Sequence, residues 1–154
     1  MVPLPIESVW KTLNDDDHHD EGGYIPIRES QVIGGRPGGG GRTTFQYFKR
    51  AGVGRWWVNR LEMNAGLYRA SAGRLWELSW QDVLEEYPGE EPPVAIEDSV
   101  PKIVGSRGAW LLARLGDGCT LVEYVTRGEP GGVIGALQFL AASRTLRDTV
   151  EGMV

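Results

Sequence analysis

The chain has 154 residues, 41% of them hydrophobic and 24% charged, and its formal net charge is −5. This length and composition are typical of a soluble chain with one core, so we expect residues 1–154 to form a single domain. Acidic residues outnumber Lys and Arg by 21 to 16. That balance argues against a nucleic-acid groove, which needs clustered basic side chains.

The expected compartment follows from cysteine use and from the first residues. Cys119 is the single cysteine, so no internal disulfide can form and a reducing compartment is the simpler expectation. Residues 1–7 lack the basic region and apolar run of a signal peptide. The sequence also has no apolar stretch long enough to span a bilayer. We therefore expect a cytoplasmic protein without an integral membrane segment.

The first predicted element is a short helix over residues 5–13. Pro5 suits a first helical turn, and Ile6, Val9, Trp10 and Leu13 recur at the spacing of one helix face. The polar, acidic residues 14–23 that follow predict a loop or one irregular turn.

Between residues 24 and 127 the pattern changes to the two-residue alternation of strands, with glycine-rich turns between them. The predicted strands cover residues 25–33, 42–50, 55–63, a stretch of uncertain register within 67–80, 102–115 and 119–127. The acidic, proline-rich segment 85–98 predicts a solvated loop.

A long amphipathic helix is predicted from Val133 to Val150, where Gly135 is the one breaker. The predicted order is therefore a short helix, an antiparallel meander of about six to seven strands, and a long C-terminal helix. A curved sheet that wraps around such a helix gives an α+β architecture with a natural hollow between the two.

Four stretches match the motifs of one superfamily in order and spacing. They are residues 5–13, residues 25–33, Gly108-Ala-Trp110 with residues 118–124, and residues 129–135 leading into 146–153. In these stretches the chain resembles a START-like domain of the SRPBCC superfamily, which has the helix-grip fold. The resemblance implies that a lipid, sterol, isoprenoid or polyketide is held in an internal cavity, and we expect no cofactor.

One departure from the family concerns the N-terminus. START-like domains begin with a strand before the first helix, but only four residues precede Pro5 here. Three explanations stay open. The strand is absent, the true start of the chain lies upstream, or a partner subunit covers the sheet edge that the missing strand exposes. A homodimer through an uncovered sheet edge is therefore one expected arrangement.

The alternation also predicts which strand residues line the hollow, because Arg60, Glu62, Glu123 and Arg127 are assigned to the outer side. The predicted lining from the strands is Phe45, Tyr47, Trp57, Asn59, Leu61, Trp76, Leu78, Trp80, Val122 and Tyr124. The predicted lining from the C-terminal helix is Leu137, Leu140, Ala141 and Arg144. Two interpretations stay open, namely an aromatic lining for an apolar ligand and a solid core rich in tryptophan.

Three other motifs give weaker signals. His18 and His19 lie in an acidic run without a third ligand at metal-site spacing, so we expect a solvated connector and no metal. Residues 35–44 lack the lysine and glycine spacing of a phosphate-binding loop and predict a hairpin turn. Cys119 is far in sequence from either histidine that could activate it, so we expect a core thiol.

Three functions remain after these observations. No carboxylate pair and no Ser-His-Asp set stands out, so we favour non-enzymatic binding or carriage of an apolar molecule. A polyketide aromatase or cyclase is the first alternative, in which Asn59 or Arg144 would point into the pocket. A protein-interaction module that uses the sheet edge or outer face is the second.

Overall fold

The computed structural model describes residues 1–21, 27–50, 52–83, 85–87, 91–96, 100–116 and 118–129. Its elements in chain order are α1 (Ile6–Leu13), a 3₁₀ turn (Asp16–His18), β1 (Ile27–Gly34), β2 (Arg42–Arg50), β3 (Val53–Met63), α2 (Ala65–Ala70), β4 (Leu75–Asp82), β5 (Val104–Gly116) and β6 (Cys119–Glu129). Within these ranges no helix is long and apolar enough to cross a membrane. The predicted C-terminal helix, with Leu137, Leu140, Ala141 and Arg144, lies outside the described residues.

The six strands form one antiparallel sheet in the order of the sequence, from β1 to β6. Every strand pairs with the strand that follows it in the chain, so short turns suffice for most connections. The longest connection among the described strands joins β4 to β5 and contains the acidic, proline-rich segment. The predicted meander is confirmed, with six strands in the described part of the chain.

Each strand presents alternate side chains to two faces of the sheet, and directly paired residues share a face. One face, which we call the helix face, is covered by α1, whose Ile6, Val9 and Leu13 pack on Leu78 of β4 and Leu112 of β5. The other is called the opposite face. The helix face therefore corresponds to the predicted inner side of the sheet.

Register places Phe45 and Tyr47 on the opposite face, which corrects the prediction that they lie beside Trp57. Phe45 pairs with Val58 and Tyr47 pairs with Trp56, whereas Trp57 pairs with Gln46. The sequence pattern failed here because Thr44 and Gln46, which occupy the helix face of β2, are polar. Polarity normally marks the solvated side of a strand, but these residues face a buried polar region beneath the 3₁₀ turn.

An opposite-face cluster covers the β2–β3 end of the sheet. Phe45, Trp56 and Val58 are fully buried, and they pack with Val83 and Val100 of the β4–β5 connection. Further contacts from this connection come from Tyr87, Val94 and Ile96. The segment predicted as a solvated loop therefore supplies apolar cover over one end of the sheet.

A buried ion pair anchors this connection. The Lys102 ammonium lies 2.8 Å from the Asp82 carboxylate, and both side chains are almost fully buried. Lys102 also donates to the Tyr87 carbonyl at 2.7 Å and lies 5.8 Å from the centre of the Trp56 ring. The Trp56 indole donates to the Val100 carbonyl at 3.0 Å, so the connection is tied down at both ends.

The fourth strand, predicted at uncertain register within residues 67–80, is β4 over Leu75–Asp82, and residues 65–70 before it form the short helix α2. The Asn64 side chain caps this helix by accepting from the Leu67 amide at 3.0 Å. The helix ends at Ala70 with Ser71 as its C-cap, and Ala72 and Gly73 follow with positive φ values of 51° and 75°. That reversal directs the chain into β4 at Leu75.

Part of each sheet edge is occupied. Val2 and Thr120 exchange two backbone hydrogen bonds of 2.8 and 3.0 Å, so one residue of the N-terminal segment pairs with the start of β6. On the other edge, the Asp17 carboxylate accepts from the Val32 amide of β1 at 2.9 Å. Of the strand expected before α1, the described residues contain the single bridge between Val2 and Thr120. A homodimer through the rest of the edge remains a prediction.

Candidate functional site

Three aromatic side chains form a row on the helix face of β4, β5 and β6. The Trp80 and Tyr124 rings are stacked with centroids 5.3 Å apart and planes at 24°. The Trp110 and Tyr124 rings lie 4.3 Å apart at 49°. All three side chains are only partly buried. We call Trp80, Trp110 and Tyr124 the aromatic row.

A glycine makes room for this row. Gly108 pairs directly with Trp80 across β4 and β5, and a Cβ at Gly108 would overlap both the Trp80 ring and the Val125 carbonyl oxygen. The missing side chain therefore lets the Trp80 indole extend over the neighbouring strand towards Tyr124. Close approach is one of the standard uses of glycine inside a strand.

The pKa of the Tyr124 hydroxyl lies above its usual value. Burial raises the pKa of the Tyr124 hydroxyl, and a hydrogen bond with Thr126 offsets part of this rise. Burial favours the neutral phenol because the phenolate loses its hydration. At neutral pH the aromatic row therefore carries an uncharged hydroxyl among its rings.

A second aromatic group lies where α1 and α2 approach β4. The Trp76 ring makes edge-to-face contacts with Trp10 of α1 at 5.1 Å and with Tyr68 of α2 at 5.4 Å. The Trp76 indole donates to the Gly73 carbonyl at 2.8 Å. These contacts hold the two short helices against the sheet. We therefore assign this group to the packing of the fold and not to ligand binding.

Polar side chains occupy the β1–β3 end of the helix face. The Trp57 indole donates to the Gln46 side-chain oxygen at 3.0 Å, and the Gln46 amide nitrogen lies 3.2 Å from both Ser30 Oγ and His19 Nδ1. Ser30 in turn donates to the Asp16 carbonyl. A chain of hydrogen bonds through Gln46 and Ser30 thus connects Trp57 to the 3₁₀ turn.

A buried ion pair supports the same end. Arg42 is almost fully buried and contacts the Asp16 carboxylate through Nε and, at 3.3 Å, through Nη2. Arg42 Nη1 also donates to the Gly39 carbonyl at 3.1 Å. This pair connects the 3₁₀ turn to β2 and to the glycine-rich turn between β1 and β2, and sequence reasoning did not identify it.

Asn59 is the buried amide nearest to the centre of β3. Asn59 is 5% exposed, and its side-chain nitrogen lies 3.5 Å from Ser106 Oγ. Its side-chain oxygen has no hydrogen-bond partner among the described residues. A buried amide oxygen without a partner costs free energy. Asn59 therefore places spare hydrogen-bonding capacity on the helix face.

Register brings most of the predicted strand lining together. Trp57, Asn59, Leu61, Trp76, Leu78, Trp80, Val122 and Tyr124 all lie on the helix face. Trp110, which pairs with both Leu78 and Tyr124, was missed as a lining residue. The signal that could have found it is its spacing of two from Gly108, a strand glycine within the Gly108-Ala-Trp110 motif.

The two histidines are engaged in local hydrogen bonds. His19 Nε2 lies 3.1 Å from the Thr12 carbonyl, and its other nitrogen faces Gln46. His18 Nδ1 lies 2.6 Å from the Asp15 carboxylate, whose hydrogen bond raises the pKa of the His18 imidazole. Among the described residues no group of three or more His, Cys, Asp or Glu side chains is arranged to hold a metal ion.

Two further predictions can be placed. Residues 35–41 connect β1 to β2, as predicted for a hairpin turn, and Gly35, Gly38 and Gly41 adopt positive φ values of 80°, 68° and 70°. Cys119 is a free thiol at the first position of β6. It is partly buried and is not a member of either core cluster, so it is less enclosed than predicted.

Comparison with solved structures places this architecture among known folds. The chain superposes with a TM-score of 0.74 on a STAR-related lipid transfer protein from Xanthomonas axonopodis, at 14% identity over 99% of this chain and 78% of that one. Human STARD10 gives a TM-score of 0.69 at 10% identity, with 98% of this chain and 59% of that chain covered.

An enzyme has a similar fold. The Zhui aromatase/cyclase from Streptomyces sp. R1128 matches with a TM-score of 0.61 at 17% identity, over 99% of this chain and 86% of that chain. No family model and no curated protein matches the sequence. At these identities the likeness establishes the fold alone.

Proposed function

We propose that this chain, which has the START-like helix-grip fold of the SRPBCC superfamily, binds an apolar small molecule on the helix face of its sheet. A lipid, sterol, isoprenoid or polyketide has the required chemistry. The aromatic row is the observation that carries the proposal. The helix predicted over residues 133–150 would supply the other wall of the cavity.

The degree of burial supports a lining role for the aromatic row. Phe45 and Trp56 of the opposite-face cluster are fully buried by the protein itself. Trp80, Trp110 and Tyr124 keep part of their surface available instead. Apolar surface covered by a ligand contributes about 25 cal/mol per Å², so three partly exposed rings can account for much of the affinity for an apolar molecule.

Asn59 and Tyr124 provide the few polar groups that a site of this kind needs. Small-molecule sites are mainly apolar and use a small number of polar atoms to orient the ligand. The unpartnered oxygen of Asn59 can accept from a ligand hydroxyl. The neutral hydroxyl of Tyr124 can donate to a ligand carbonyl. We therefore expect an apolar ligand with one or two polar groups.

Native mass spectrometry of the freshly purified full chain tests the proposal directly, because it detects a ligand carried from the cell. Uptake of cis-parinaric acid and of a fluorescent sterol then gives an affinity. We expect Tyr124→Ala to weaken uptake by about tenfold or more, since loss of this ring removes more than about 1.4 kcal/mol of contact.

Val125→Ala is the matched control, because Val125 is the next residue of β6 but is 58% exposed on the opposite face. We expect its uptake of the uncharged sterol to equal that of the unmodified chain. If neither a carried molecule nor probe uptake is observed, or if both variants lose uptake equally, the helix face is not the binding site.

An aromatase or cyclase activity is the second candidate, favoured by the polar atoms of Asn59 and Tyr124 beside the aromatic row. A poly-β-ketone thioester held against these rings would cyclise by carbon–carbon bond formation and lose water. Incubation with such a thioester and mass analysis of the product tests this activity. Asn59→Leu and Tyr124→Phe should then lower turnover more than they lower probe uptake, whereas a pure carrier yields no dehydrated product.

A further inference from the structure

The opposite face of the sheet carries a groove of about 550 Å³ across β3, β4, β5 and β6. Most of its lining residues alternate with those of the aromatic row, so they face away from the proposed apolar site. The groove also borders on Trp80 and Gly108. It is not explained by the proposed function.

One end of the groove is formed by a row of hydrogen-bond donors. Arg60, Gln81, Arg107 and Arg127 are paired directly in succession across the four strands. Adjacent strands lie about 4.8 Å apart, so these side chains emerge as one line. Arg60 is already engaged, because its Nη2 contacts the Glu86 carboxylate. Arg107 and Arg127 are the cations that remain.

Arg107 and Arg127 form a directly opposed pair of like charges. They face each other across β5 and β6, and both are exposed on the surface. Among the side chains that the structure describes, neither has an acidic partner within ion-pair distance. Like charges directly opposite in a sheet are destabilising. A bound anion would offset this repulsion.

Acidic side chains at the other end of the groove restrict what can bind. Glu62 pairs with Ser79, two residues along β4 from Gln81, and Glu77 lies two residues further. Two residues of strand span about 7 Å, so the carboxylates lie about 7 and 13 Å along the groove from the arginine end. An anion confined to that end lies nearest to Arg107 and Arg127, whereas an extended polyanion would meet Glu62 and Glu77.

We propose that Arg107 and Arg127 clamp a single phosphate or carboxylate group, with the Gln81 amide as a further donor. Two guanidinium groups on adjacent strands suit the oxygens of such a group because each can donate two parallel hydrogen bonds. The anion can be free in solution or be the headgroup of an amphiphile. Val125, which lines the groove two residues from Arg127 and is 58% exposed, would contact the apolar part of an amphiphile.

Two probes distinguish these sources. Inorganic phosphate, added at constant ionic strength against chloride, should raise the Tm of the full chain if a free anion binds. Sedimentation with phosphatidylcholine vesicles, with and without phosphatidylglycerol, should show anion-dependent association if a headgroup binds. A response to either probe supports the clamp and identifies the source.

The variants Arg127→Gln and Arg107→Gln decide whether the clamp is responsible. Each should weaken the response by about tenfold, because one bidentate charged contact is lost. Each should also leave the Tm without phosphate unchanged or higher, because the opposed charges are relieved. Arg28→Gln is the matched control, since Arg28 is an exposed strand arginine on β1.

The tests of the arginine clamp give results that are independent of the tests of the apolar site on the helix face. Uptake of the fluorescent sterol, which carries no anionic group, should be unchanged in both arginine variants, and Tyr124→Ala should keep its response to phosphate or phosphatidylglycerol. The clamp is wrong if the unmodified chain responds to neither probe, or if Arg28→Gln lowers the response as much as Arg127→Gln does.

Discussion

Two aromatic clusters on opposite faces of the sheet, the opposite-face cluster and the aromatic row, differ in how completely they are covered. On the opposite face, Phe45 and Trp56 are fully buried beneath the β4–β5 connection. On the helix face, the rings of the aromatic row contact one another but are only partly buried. Aromatic content alone therefore does not identify a binding surface. The difference lies in whether the protein itself completes the cover.

Truncating one ring in each cluster tests this contrast, and it has the largest expected effect. Trp56→Ala should lower the free energy of unfolding by about 3–5 kcal/mol, because it opens a cavity in a closed core. Trp110→Ala should cost only roughly 1–2 kcal/mol, because a partly buried ring gives up less apolar contact. Urea denaturation followed by circular dichroism measures both.

The comparison also makes a prediction about binding. Trp110→Ala should weaken uptake of cis-parinaric acid, whereas Trp56→Ala should leave its affinity unchanged at temperatures where the variant is folded. If Trp110→Ala destabilises the chain as much as Trp56→Ala, the aromatic row is core and the two clusters do not differ in role.

A smaller effect is expected from Gly108→Ala, which sharpens the comparison by disturbing the aromatic row and the β6 backbone beside it. The added Cβ overlaps the Trp80 ring and the Val125 carbonyl, so we expect a loss of about 1–3 kcal/mol from overpacking. Displacement of Trp80 should also change the near-ultraviolet circular dichroism. Gly116→Ala is the control, because no atom lies within 4 Å of its added Cβ, and it should stay within about 0.5 kcal/mol.

The smallest effect concerns the titration of Tyr124. Burial raises the pKa of its hydroxyl in the folded chain, whereas the unfolded chain has a value of about 10. Between these two values the folded state binds more protons than the unfolded state, so stability falls as pH rises through that window. Tyr124→Phe should reduce this alkaline loss.

Absorbance at the tyrosinate band, measured against pH, provides the check on Tyr124. We expect the component that titrates above the normal range to disappear in Tyr124→Phe and to move higher still when an apolar ligand covers the aromatic row. An alkaline titration identical in the variant and the unmodified chain would show that Tyr124 is open to water.

The predicted bounds of most strands lie within one or two residues of the observed bounds. Phe45 and Tyr47 of β2, however, were assigned to the wrong face of the sheet. The start of β2 at Arg42 and the end of β3 at Met63 match the predicted bounds, because glycine-rich turns and alternation are local signals. The assignment of Phe45 and Tyr47 was wrong because it rested on polarity. Thr44 and Gln46 are polar yet face the buried network of the 3₁₀ turn.

The sequence by itself determined the position of α1, the order of the described strands and the alternation within each strand, since these depend on residues close together in the chain. The likeness to START-like domains also came from the sequence, through the order and spacing of four motifs. Only the tertiary structure decided which face Phe45 and Tyr47 of β2 occupy and which segments cover each face of the sheet. That choice depends on long-range contacts, such as Arg42 with Asp16 and Lys102 with Asp82. Burial of these charges is favourable only when their distant partners arrive at the same place.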